Sequence, residues 1–194
     1  APRDEDSLRD ALKAALALDG PVALRYPRGS GRRLDPSLWK YASALRLSAG
    51  PHPYEQGKGE IIVEGNSRVC IIACGQRVLP CAEAALATAE KTGSIATVFD
   101  ARWVKPLPEE QILALAAEHD ALLLVEENSL MGGFSSAVLE LLSDHGKLGN
   151  LKVKRLGLPD RFIPHGPVRR LRDDVRLNVP GISAALEELF SQTA

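Results

Sequence analysis

The sequence predicts an α/β fold: a three-layer, open, mostly parallel sheet with one antiparallel strand, preceded by a helix and strand that lie outside that sheet. Three observations predict it. From residue 60 onward, short apolar runs alternate with longer stretches of helical period. The run 122–125 is apolar at every position, as expected of a strand buried on both faces. Strand–helix–strand order then calls for parallel strands joined by crossover helices, which cover both faces of the sheet.

The chain opens on a helix signal. Ser7 followed by Asp10 is a loose capping-box spacing, and Leu8, Ala11, Leu12, Ala15 and Leu16 share one face. Gly20 offers a stop, and Val22-Ala23-Leu24-Arg25 reads as a short strand. One helix and one strand, ~35 residues, bury too little surface to stand alone. They pack on the domain that follows, or they are the tail of another domain. Residues 32–58 hold Pro36, Gly50, Pro51, Pro53 and Gly57 without a clean period, and read as a long connection with one helical turn near 39–45.

Next, 60–63 and 69–73 read as a hairpin around Glu64-Gly65-Asn66-Ser67, supplying the antiparallel strand. A helix is expected over 77–92, with Val78, Ala82, Ala85, Leu86 and Ala89 inward and Gly93 ending it. Residues 95–99 form a strand. Pro108 suits a helix's first turn, and Ile112, Leu115 and Ala116 give that helix its apolar stripe. After the strand 122–125, Gly132-Gly133 opens a helix with Phe134, Val138, Leu141 and Leu142 inward. A strand at 152–156 and two short helices, near 168–172 and 182–190, complete the chain.

Composition narrows the function classes. Of 194 residues, 24 are Lys or Arg and 25 are Asp or Glu, a balance that argues against a nucleic-acid surface. No apolar run approaches the ~20 residues of a membrane span. The first residues, Ala1-Pro2-Arg3-Asp4-Glu5-Asp6, are too polar for a signal peptide. Cys70, Cys74 and Cys81 cannot all pair within one chain, so a reducing cytosol fits best. Cys70 and Cys74 lie roughly 13 Å apart along a strand, too far for a disulfide or a shared metal.

Three stretches carry candidate chemistry. Arg25-Tyr26-Pro27-Arg28-Gly29-Ser30-Gly31-Arg32-Arg33 sets four arginines beside two glycines. Arginine's planar fork suits phosphate, and glycine lets the backbone approach an anion. The same composition also describes a solvated basic loop. Glu126-Glu127-Asn128 with Gly132-Gly133 lies where α/β sheets bind ligands, but neighbours in a strand point to opposite faces, so the two carboxylates make no acid/base pair. His52, His119, His145 and His165 are scattered without zinc-ligand spacing, and only His165 sits in a loop that looks shaped.

Four blocks resemble the 1-deoxy-D-xylulose-5-phosphate synthases, a transketolase-like thiamine-diphosphate family. They are Gly20-Pro21-Val22-Ala23-Leu24-Arg25-Tyr26-Pro27-Arg28-Gly29, Asp100-Ala101-Arg102-Trp103-Val104-Lys105-Pro106-Leu107, the stretch from Val125-Glu126-Glu127-Asn128 into Met131-Gly132-Gly133-Phe134-Ser135, and Gly157-Leu158-Pro159-Asp160-Arg161-Phe162-Ile163-Pro164-His165-Gly166. They stand in family order and spacing. Trp103 replaces a usual Phe. The resemblance implies that residues 1–35 end a pyrimidine-binding domain, 36–58 are a linker and 59–194 are the transketolase C-terminal domain. It implies an enzyme that condenses pyruvate with glyceraldehyde 3-phosphate, releases CO2, and feeds isoprenoid, thiamine and pyridoxal synthesis.

The resemblance implies thiamine diphosphate and Mg2+ in the complete enzyme, with none bound by this chain alone. It implies partners in the N-terminal domains and a second protomer, a cytoplasmic bacterial setting, and no catalytic residue in this chain. It assigns Arg28 to the acceptor's phosphate, with Arg25 and Tyr26 shaping the same loop. The alternative is a noncatalytic α/β module used for dimer contacts or anion binding.

Overall fold

Side-chain alternation along the central strands decides the architecture. The computed structural model describes residues 1–29, 31, 40–41, 43–46 and 53–193. Within them β1 (Glu60–Val63), β2 (Val69–Ala73), β3 (Thr97–Asp100), β4 (Ala121–Ser129) and β5 (Lys152–Leu158) form one sheet, ordered β1-β3-β2-β4-β5. Neighbours are parallel except β1 and β3. Ile71, Ala73, Leu123 and Val125 point to one face, and Cys70, Ile72, Leu122 and Leu124 to the other.

Helices α2 (Val78–Thr92) and α6 (Val179–Thr193) cover the first face through Val78, Ala82, Leu86, Ile182 and Leu186. The second face is closed by α3 (Glu109–Glu118) and α4 (Phe134–Asp144), with Ile112, Leu115, Phe134, Val138 and Leu142 inward. Two separate apolar layers on a parallel sheet give the expected three-layer fold. Removing a fully buried leucine such as Leu123 would cost about 2–5 kcal/mol. Both outer helices at the end are longer than expected: α5 is Val168–Asp174 and α6 has 15 residues.

The expected hairpin is not there. β1 pairs with β3, in the register Glu60 to Asp100, and β2 lies between β3 and β4. The connection steps over the start of β3 instead of turning back. Asn66 and Ser67 N–H groups donate to the Ile95 carbonyl at 3.0 and 3.2 Å, and Ile95 N–H returns a 2.7 Å bond to Asn66 Oδ1. Gly65 permits the crossing, since a Cβ there would lie 2.4 Å from the Thr97 nitrogen. The antiparallel strand is thus real, but its partner is β3.

Residues 22–25 form no strand. They run irregularly and largely exposed, and no neighbouring strand among the described residues takes their hydrogen bonds. A strand exists only with a ladder partner. Helix α1 (Glu5–Ala17) starts one turn earlier than expected. Asp4 is its N-cap: Asp4 Oδ1 accepts from Ser7 N–H at 2.7 Å, and Ser7 Oγ accepts from Asp4 N–H at 3.0 Å. The helix ends at Ala17, before Gly20. Its face is only partly covered: Ala11 is buried, but Leu12 and Leu16 are exposed. Near 39–45, Ala44 and Leu45 N–H donate to the Tyr41 carbonyl in one tight turn, and Leu45 bridges Val63.

Candidate functional site

The arginine loop folds back onto α1. Gly29 has φ +126°, a conformation that favours glycine. Gly31 N–H donates to Glu5 Oε1 at 2.9 Å, and a Cβ at 31 would lie 2.4 Å from Glu5 Cγ. Arg28, between these anchors, is exposed and makes no hydrogen bond or ion pair among the described residues. Tyr26 is likewise exposed. Ser30, Arg32 and Arg33 lie outside the described residues.

Arg25 parts company with Arg28. It lines a cavity of about 370 Å³ between residues 18–25 and residues 102–105, a lining that excludes Arg28 and Tyr26. Tyr54, Arg102, Trp103 and Lys105 form the opposite wall. The Tyr54 and Trp103 rings meet at 6.1 Å between centroids, tilted by 50°. The Arg102 guanidinium lies 4.9 Å from the Tyr54 ring centre.

Behind this wall is a buried ionic network. Arg3 Nη1 donates to Asp100 Oδ2 and to Glu60 Oε2, both at 2.9 Å. Asp100 Oδ1 accepts the Arg102 N–H at 2.9 Å, Arg102 Nη2 pairs with Glu60, and Arg102 Nη1 donates to the Pro53 carbonyl at 3.1 Å. These bonds hold Arg102 at φ +57°, which non-glycine residues seldom adopt. Burial raises the Asp100 carboxyl above its ordinary pKa, and Arg3 and Arg102 only partly offset it. The Asp100–Leu107 block contained half of this network. Arg3 and Glu60 carried no signal, because their partners are distant in sequence.

The Glu126–Glu127 pair splits as alternation requires. Glu126, fully buried, accepts from Phe134 N–H and Ser135 N–H at 2.8 Å and from Ser135 Oγ at 2.6 Å, so it binds the start of α4. Glu127 pairs with Arg172 at 2.8 Å and with Arg77 Nε at 2.8 Å, while Arg77 Nη1 donates to the Leu177 carbonyl. Both carboxylates are committed to structure.

The other expected groups are dispersed. Cys70, Cys74 and Cys81 are free and buried, the first two facing one helical layer and Cys81 the other. His119 and His145 contact the Leu115 and Leu141 carbonyls at 2.8 and 2.9 Å, near the ends of α3 and α4. His165 is exposed, and His52 lies outside the described residues. Among the described residues, no three His, Cys, Asp or Glu side chains converge as a metal site. No helix described is long and apolar enough to cross a membrane.

Comparison with known proteins fits this architecture. A 1-deoxy-D-xylulose-5-phosphate synthase of Nitratidesulfovibrio vulgaris is 51% identical over 98% of this chain and 28% of its own length. The corresponding synthase 1 of Geobacter sulfurreducens is 49% identical over the same shares. The chain therefore spans about a quarter of the curated relatives it matches. A solved split-gene transketolase chain, described as an inactive beta4 tetramer, superposes with a TM-score of 0.78 at 28% identity, covering 96% of this chain and 55% of that one. The transketolase C-terminal domain model matches residues 57–182, which hold all five strands and the helices α2 to α5, and the chain belongs to that family.

Proposed function

We propose that this chain is the C-terminal portion of a 1-deoxy-D-xylulose-5-phosphate synthase, a transferase that condenses pyruvate with glyceraldehyde 3-phosphate and releases CO2. The high identity along nearly the whole chain supports this reading. Residues 1–35 would complete a pyrimidine-binding domain, 36–58 would link, and 59–194 would form the C-terminal domain. The irregular course of residues 22–25 fits a strand whose sheet is built by other polypeptide.

Thiamine diphosphate and Mg2+ serve this chemistry in the family. The residues described here do not fit a metal–diphosphate group: no three ligands converge, Glu126 is held by α4 and Glu127 by arginines. In this reading the rest of the enzyme carries the cofactor. A second protomer would cover exposed Phe162, Met131 and Val168. Three free buried thiols suit a bacterial cytoplasm.

One observation carries the role of the chain's own residues. The Arg28 guanidinium stands exposed, and unpaired among the described residues, on a glycine turn tied down by Glu5. It is free to form a bidentate contact with the acceptor's phosphate and so to position the aldehyde, while Arg25 and Tyr26 shape the loop. The test is steady-state kinetics of the complete enzyme. Arg28→Ala raises the acceptor KM by the equivalent of about 1.5–3 kcal/mol and leaves the pyruvate KM near its original value. Equal effects on both substrates would make Arg28 a structural residue.

A further inference from the structure

Glu5 is the first residue of α1, yet its carboxylate reaches across 26 positions of sequence. Its Oε1 accepts the Gly31 N–H at 2.9 Å, and among the described residues this is the one hydrogen bond that the chain just beyond Arg28 makes. The approach is close: a Cβ at 31 would lie 2.4 Å from Glu5 Cγ and 2.7 Å from its Oε1. The other acid in the first turn of α1 behaves differently. Asp6 pairs within the helix, its Oδ1 lying 3.2 Å from Arg9 Nη1, and both side chains are exposed.

The loop needs such a tie. Arg28 is followed by Gly29, at φ +126°, and by Gly31, and glycine leaves a backbone many conformations to choose from. Three residues separate Gly31 from Arg28, at most roughly 11 Å of chain, so fixing Gly31 confines the guanidinium. A hydrogen bond to a carboxylate is charge-assisted, which suits it to the task. Glu5 is itself held firmly. Asp4 and Ser7 close a capping box around it, with bonds of 2.7 and 3.0 Å. Arg3, buried, joins the same helix start to Asp100 and Glu60 at 2.9 Å. Rigidity thus passes from the sheet through the start of α1 to the loop.

We infer that Glu5 is a positioning residue for the phosphorylated acceptor: by holding Gly31 it fixes where the Arg28 guanidinium meets the phosphate. This rests on the reading of Arg28 as the phosphate contact, and adds that the contact is aligned in advance by a side chain that never touches substrate.

The test is steady-state kinetics of the complete enzyme with Glu5→Ala, Glu5→Gln, Asp6→Ala, Arg28→Ala and the Glu5→Ala/Arg28→Ala double variant. Glu5→Ala raises the KM for glyceraldehyde 3-phosphate about three- to tenfold and leaves kcat and the pyruvate KM near their original values. It leaves the KM for unphosphorylated glyceraldehyde unchanged, because that acceptor has no phosphate to align. Glu5→Gln keeps an accepting oxygen and restores most of the loss. Asp6→Ala removes the same charge from the same helix turn and changes nothing. In the Arg28→Ala background Glu5→Ala adds no further effect, since both act through one contact. An unchanged acceptor KM in Glu5→Ala beside a raised one in Arg28→Ala would overturn the positioning role alone. An unchanged acceptor KM in Arg28→Ala would overturn the phosphate reading, and this inference with it. Equal losses with the unphosphorylated aldehyde, a Gln variant as impaired as Ala, an Asp6→Ala effect as large as that of Glu5→Ala, or additive effects in the double variant would also overturn the inference.

Discussion

Arg3 and Asp100, separated by 97 positions in sequence, meet through an Nη1–Oδ2 hydrogen bond of 2.9 Å. The arginine is 4% exposed and the carboxylate fully buried. Through Glu60, the same guanidinium also touches β1, so one side chain ties the start of α1 to the ends of two strands. The next two residues extend the link: Asp4 caps α1 and Glu5 holds Gly31. The arginine loop is therefore anchored to the sheet by three consecutive residues.

Arg3→Ala leaves Asp100 fully buried and Glu60 half-buried, with one arginine fewer to pair them. Breaking a buried pair from one side costs about 3–5 kcal/mol. Urea unfolding should show that loss as a lower midpoint. A change below about 1 kcal/mol, the range of exposed pairs, would mean that water reaches the network.

Asp100 gives a pH signature. Its carboxyl is raised in the folded protein, so the native state binds this proton more tightly than the unfolded chain. Its contribution to stability is therefore greatest at low pH, and falls as pH rises from the ordinary carboxylate range through the raised value. Asp100→Asn removes the titration. Relative to the parent, this variant should gain stability as pH rises across that window, read from unfolding free energies at several pH values. A relative loss would show that the arginines outweigh burial.

Glu126→Gln replaces one of the two accepting oxygens by an NH2, which then faces the N–H of Phe134 or of Ser135, each now bound by the carboxylate at 2.8 Å. A buried donor left unsatisfied costs about 1–3 kcal/mol. Thermal unfolding should register a lower midpoint, and amide exchange should speed up first in α4.

Gly133 and Gly149 form a contrasting pair. A Cβ at 133 would lie 2.0 Å from the Ser129 carbonyl oxygen and 2.4 Å from Glu126 Oε2, whereas one at 149 meets nothing within 4 Å. Gly133→Ala should cost about 1–3 kcal/mol, and Gly149→Ala should stay within about 0.5 kcal/mol. Paired denaturation curves distinguish the two; equal effects would refute the close approach.

The thiols should be silent in the native state. Burial pushes the Cys74 thiol up to about 12, and Cys70 and Cys81 are raised by the same cause. Thiolate is the reactive form, so a disulfide reagent at neutral pH should modify none of the three until denaturant is added. Rapid labelling without denaturant would place a thiol at the surface.

The sequence by itself determined the layered α/β fold and its inward-facing residues. Helical and strand periods are local, and Ile112, Phe134, Val138 and Leu86 each sit where their spacing put them. It also showed that Glu126 and Glu127 would diverge, because alternation is a property of one strand. The blocks around Arg28 and Trp103 were legible as motifs, though not as separate places. Only the tertiary structure decided that β1 bypasses β2 for β3, that Arg25 enters a cavity Arg28 does not, and that Arg3 and Glu60 surround Asp100. The physical reason is that strand choice and buried charge pairing join groups far apart in the chain, where side-chain periodicity has no reach.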